Sequence, residues 1–108
     1  MLVAEITHDI ALSGDFIPIS VSPNSKSKLF FEVTADANLD GGNVRVEPQH
    51  SNSISGPFED MNTAQGPQIS ANETINVDSD NFTGAYAGIQ LTGGPTMGII
   101  TVKTFYKD

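Results

Sequence analysis

Five residues of this chain come closest in type and spacing to a known chemistry: Asp36, Asn38, Asp40, Gly41 and Glu47. They match the EF-hand calcium loop position by position, with hard oxygen ligands at alternate positions, a glycine for the bend and a final glutamate. A loop of that kind joins two helices. Here the flanks, 29–35 and 44–46, alternate apolar and polar residues with period two, which is a strand pattern. Glu47 then lies several residues along a strand and points away from the turn. Asp40-Gly41-Gly42 between such strands predicts a hairpin connection. Asp78-Ser79-Asp80-Asn81 is a second acidic turn, and Asp and Asn favour turns because their side chains bond nearby backbone groups. No metal is expected at either.

Other reactive constellations are missing from the sequence. His8 and His50 are its only histidines. Neither sits in a nucleophile or metal motif, and both are expected at the surface. Gly93-Gly94-Pro95 lacks the Lys-Ser/Thr pair and the helix of a phosphate-binding loop. With no cysteine, a disulfide framework, thiol chemistry and a Cys-based zinc site are excluded. Paired carboxylates can hydrolyse glycosides, but nothing marks one pair among the acidic residues. The expectation is a protein that is not an enzyme and has no cofactor. Tyr86, Phe105 and Tyr106 form a candidate aromatic platform for sugars. A cross-strand pair within one terminal hairpin accounts for the same residues.

The elements that would position these residues are strands. Ile17, Ile19 and Val21 alternate with polar residues, as do Leu29, Phe31, Val33 and Ala35. Val44 and Val46 follow, and Pro48 is expected to end their run. Ile75 and Val77 mark a short strand. Ala85, Ala87, Ile89 and Leu91 predict one arm of the terminal hairpin, and Ile100, Val102 and Thr104 the other. The turn signals between them include Ser13-Gly14-Asp15, Pro23-Asn24-Ser25 and Ser55-Gly56-Pro57. Short strands between such turns predict an all-β fold: a single antiparallel β-sandwich, jelly-roll or immunoglobulin-like, with about seven or eight strands. Residues 1–12 form an N-terminal arm or edge strand, and 13–108 the sandwich, one domain overall.

Two features point to contact surfaces. Pro18 cannot donate to a ladder, which places its strand at a sheet edge or a strand start. From His50 to Gln68 the chain is long, polar and broken by Pro57 and Pro67, and a loop of that length is commonly functional. Phe58 and Met61 within it either plug the open end of the sandwich or meet a partner. Pro18, Phe58 and Met61 are therefore the candidate partner or oligomer contacts.

Charge narrows the partners. Thirteen acidic and five basic residues give a net charge of −8. Neutralising phosphates needs Lys and Arg, so direct nucleic-acid binding is not expected. No window approaches the apolar length of a membrane span, and the first residues do not resemble a signal peptide. A soluble protein made in a cytoplasm is expected.

The chain resembles the small β-sandwich virion proteins of tailed bacteriophages over roughly residues 13–108. The likeness lies in Leu29–Ala35, Asp40-Gly41-Gly42 and Val44-Arg45-Val46-Glu47, where an acidic or glycine turn leads into a Val-x-Val-Glu strand. His50-Ser51-Asn52 followed by Gly56-Pro57-Phe58 resembles a family loop, although Phe58 stands where Trp is usual and an Asp-Gly pair is missing. Gly84-Ala85-Tyr86, Ile89-Gln90-Leu91-Thr92-Gly93 and Gly98-Ile99-Ile100-Thr101-Val102 complete it. The resemblance implies a bacteriophage virion structural protein, first of all a capsid auxiliary (decoration) protein that binds the outer shell and stabilises it. Its partners would be the major capsid protein or other virion proteins, and further copies of itself. A trimer is the favoured homo-oligomer, since closed symmetry is the common outcome. It implies no catalytic residues. The alternatives are a neck, tail or head-fibre component, or a non-catalytic carbohydrate-binding module.

Overall fold

The computed structural model describes residues 2–10, 14–20, 28–62, 65–79 and 85–107. The expectations for Val21, for the turn at Pro23-Asn24-Ser25 and for Asp80-Asn81 lie outside them. The described residues hold nine strands: β1 (Leu2–Asp9), β2 (Phe16–Ile19), β3 (Lys28–Ala35), β4 (Val44–Ser51), β5 (Glu59–Asp60), β6 (Gln68–Ile69), β7 (Thr74–Ser79), β8 (Tyr86–Gly93) and β9 (Ile99–Lys107). They form two antiparallel sheets, one ordered β1-β9-β3-β7 and the other β2-β8-β4-β5, with β6 also on β4. The fold is the all-β sandwich that the period-two pattern predicts. β5 and β6 exceed the expected strand number because two-residue strands carry no alternation to detect.

The core is what the alternation selects. Leu29, Phe31, Val33, Ile100 and Val102 from one sheet face Ile17, Val46, Ile89 and Leu91 from the other, all 1% exposed or less. Burying such side chains stabilises by about 1.5–3 kcal/mol each before entropy is counted. Thr104 lies in the same inward row and its hydroxyl has no hydrogen-bond partner among the described residues.

The connections depart from expectation. β8 and β9 do not form a hairpin, since they belong to opposite sheets. The same holds for β3 and β4. Residues 36–43 and 94–98 are arches that carry the chain across the sandwich, and they lie side by side. Asp40 N–H donates to the Met97 carbonyl at 3.3 Å and Asp36 N–H to that of Ile99 at 3.0 Å. A Cβ on Gly98 would sit 2.8 Å from Leu39 Cα, and its φ is +133°. Only glycine lets the two arches approach this closely.

Pro48 does not end β4, which runs on to Ser51. The Pro48 carbonyl accepts the Met61 N–H at 3.0 Å, so the side of β4 where an N–H is missing faces the fragmentary β5 and β6. Proline is tolerated where no continuous ladder needs its donor. The segment 50–68 is accordingly not one long loop: it holds the end of β4, β5 and the start of β6.

Candidate functional site

At the end of the sandwich away from the arches, His50, Ser51, Asn52, Ser53, Gly56, Pro57 and Glu59 line an open concavity of about 380 Å³. His50 is opposite Glu59 on one side and Ala87 on the other. The loop above it is held by its own serines. Ser51 Oγ accepts the Ser53 N–H at 3.1 Å, and Ser53 Oγ accepts the Ser55 N–H at 3.3 Å. Gly56 N–H donates to the Ser53 carbonyl at 3.0 Å. Short polar side chains that bond backbone in this way stabilise a turn without burial. The loop presents Ile54 at its tip, 71% exposed.

An aromatic contact anchors this loop to the outer face of the second sheet. Phe16 and Pro18 alternate outward on β2 while Ile17 and Ile19 face the core. The Phe16 ring lies over Gly88 of β8, where a Cβ would meet the ring at 2.0 Å. Phe58 tilts against it, ring centroids 4.8 Å apart and planes at 53°. Tilted aromatic pairs of this kind contribute about 0.5–1.5 kcal/mol beyond their buried area.

The same face carries a charged clamp. Glu47 Oε2 accepts the Gly66 N–H at 3.0 Å and Arg45 donates to the Gly66 carbonyl at 2.8 Å. A Cβ on Gly66 would lie 1.8 Å from the Val46 carbonyl oxygen. The strap that leads into β6, residues 65–67, is thereby pressed onto β4.

Of the three predicted contacts, Pro18 is exposed and Phe58 half-buried, both on the outer side of the second sheet. Met61 is elsewhere. It is 2% exposed, and the Ser79 hydroxyl donates to its sulfur at 2.7 Å. It plugs the interior and is not available to a partner. The EF-hand set is dispersed. Asp36 Oδ1 accepts the N–H groups of Asn38 and Ile99, both at 3.1 Å. Asp40 takes that of Thr96, and Glu47 is spent on Gly66. These carboxylates bind backbone because the arches leave N–H groups that need acceptors.

His8 is not a free surface residue. Its Nε2 lies 3.0 Å from Asp15 Oδ2, both side chains partly covered, and the pair ties β1 to the start of β2. Tyr86 stands opposite Ser51, whereas Phe105 is opposite Phe30 in the other sheet, their rings 5.7 Å apart. No joint platform forms. Sequence reading missed Phe16, Gly88 and Gly66, and Ile54 was not among its candidate contacts. A glycine within the β8 alternation was an available signal, since glycine inside a strand marks a close approach.

No family model matches the chain, and no curated protein matches it. Among solved structures it is similar to one described as the crystal structure of PirA, with a TM-score of 0.63 and 12% identity over 94% of this chain and 93% of that one. At that identity the likeness is one of fold.

Proposed function

We propose that this chain is a structural protein of a tailed-bacteriophage virion, an auxiliary protein that seats on the outside of the capsid shell. The observation that supports this is the loop carrying Ile54. An apolar side chain is held in the open at the tip of a turn that its own serines stiffen and that Phe58 anchors on Phe16. A contact that is ordered before binding loses less entropy on docking. The carboxylates at the arches and the Arg45–Glu47 clamp are meanwhile engaged in holding the chain together. The resemblance to phage β-sandwich proteins supplies the partner, a shell of major capsid protein. In this reading each copy buries surface across neighbouring shell subunits and opposes their separation.

The test has two arms. The gene should lie among portal, protease and major capsid genes. The purified chain should cosediment with shells of the capsid protein encoded beside it, and Ile54→Ser should weaken that binding at least tenfold without changing the unfolding midpoint. A gene within a polysaccharide-degrading operon, together with glycan-array binding, would replace this reading with the carbohydrate module. Cosedimentation with tails but not with shells would move the protein to the neck or tail.

A further inference from the structure

Among the described residues the two sheets have four edges, and they are not alike. β2 is four residues long and carries Pro18. β5 and β6 have two residues each. On β7 the outward carbonyl of Asp78 is taken by Asn62 Nδ2 at 2.9 Å. β1 has eight residues and no proline, and among the described residues nothing pairs with its far side. Native proteins usually blunt or cover such an edge because its free N–H and C=O groups template pairing.

The backbone phase fixes what β1 offers. Ile10 N–H donates to the Gly98 carbonyl at 2.9 Å, and the register runs from Asp9↔Ile99 to Ala4↔Thr104. In an antiparallel ladder, residues that bond the partner alternate with residues that do not. Ala4, Ile6 and His8 therefore bond β9, and the main-chain groups of Glu5, Thr7 and Asp9 face outward. The side chains on the core face are unfinished as well. Ile100, Val102 and Thr104 of β9 are fully buried, whereas Ala4, Ile6 and His8 beside them are only partly covered.

We infer that β1 pairs with β1 of a second copy, antiparallel and centred on Ile6, joining the two four-stranded sheets into one. The side chains select this register. Centring on Glu5 sets the two Glu5 carboxylates against each other, and centring on Thr7 sets Glu5 against Asp9. Centring on Ala4 puts the bulge between Leu2 and Ala4 inside the ladder. Centring on Ile6 places Ile6 on Ile6, Ala4 on His8 and Glu5 on Thr7, with no like charges opposite. Glu5 and Thr7 of the two copies then exchange N–H···O=C bonds in both directions, and the two Ile6 side chains close the open flank. The contact is isologous, so it ends at two copies.

Sedimentation equilibrium of the full chain over a wide concentration range tests this, together with amide exchange read by NMR. The expected result is a shift from 11.4 kDa to twice that mass. In step with it, the Glu5 and Thr7 amides should become protected, while those of Ile6 and His8 are protected throughout. Thr7→Pro removes an outward donor and no bond to β9, and should weaken the dimer at least tenfold. Should that variant fold poorly, Ile6→Cys serves instead. The chain has no other cysteine, and a non-hydrogen-bonded pair brings Cα atoms within disulfide reach. Oxidation should then link the two copies. A monomer at every concentration, a trimer, a dimer whose Glu5 and Thr7 amides exchange freely, or an Ile6→Cys chain that stays unlinked would each overturn the inference. None of these depends on whether the chain binds a capsid.

Discussion

Gly88 should matter only because Phe16 lies on it. A methyl group at Gly88 would stand 2.0 Å from Phe16 Cζ and under 3 Å from both Cε atoms, so in Gly88→Ala the ring has to leave. Leaving forfeits the tilted contact with Phe58, about 1 kcal/mol, and the covered half of the ring, about another 1 kcal/mol. Alanine in a strand recovers about 0.5–1 kcal/mol of the backbone penalty of glycine. The net cost in the parent chain is then about 1–1.5 kcal/mol. In a Phe16→Ala background there is no ring to displace, and Gly88→Ala should stabilise by about 0.5–1 kcal/mol. The sign reverses, and the coupling of about 2 kcal/mol lies within the range seen for residues in contact. Urea unfolding followed by far-ultraviolet circular dichroism measures all four chains, with shifts of about 0.5–1 M in midpoint. If Gly88→Ala costs the same with and without Phe16, the ring does not use that seat and the anchoring of the Ile54 loop through Phe58 loses its basis.

Three further outcomes follow from polar groups and their hydrogen bonds. Thr104→Val keeps the shape and removes a hydroxyl that has no partner among the described residues, so it should stabilise by about 1 kcal/mol, raising the urea midpoint. Met61→Leu conserves volume but takes away the acceptor of the buried Ser79 hydroxyl. It should cost about 1–2 kcal/mol, and the additional change Ser79→Ala should restore much of that in the same assay. Asp36→Ala strips the acceptor from the Asn38 and Ile99 N–H groups and should cost about 1–3 kcal/mol. Asp36→Asn, which keeps a carbonyl oxygen there, should lose less, and amide exchange at Ile99 should rise in the first variant and not in the second.

The candidate site was less legible than the core. Pro18 and Phe58 stood out as a strand breaker and an isolated aromatic, and both lie on the outer side of one sheet. Met61 carried the same isolation in sequence and proved interior, because Ser79 and the end of β4 enclose it from positions far along the chain. Phe16 was out of phase with Ile17 and Ile19, which identifies an outward residue but not a covered one. Its cover comes from Phe58, more than forty positions away.

What the sequence determined by itself was strand content and inward facing. Both are local, because successive side chains of a strand point to opposite faces and the apolar ones are buried. Which sheet each strand joins was decided only by the tertiary structure. A hairpin and an arch have the same alternation on either side of a glycine turn. The choice between them rests on ladders such as β3 with β7 and β9, and β4 with β8, formed between residues distant in sequence. The calcium-like spacing from Asp36 to Glu47 illustrates the difference. Asp36, Asn38 and Asp40 lie in an arch and Glu47 in β4, and each carboxylate takes the backbone donor that the arches and the strap bring to it.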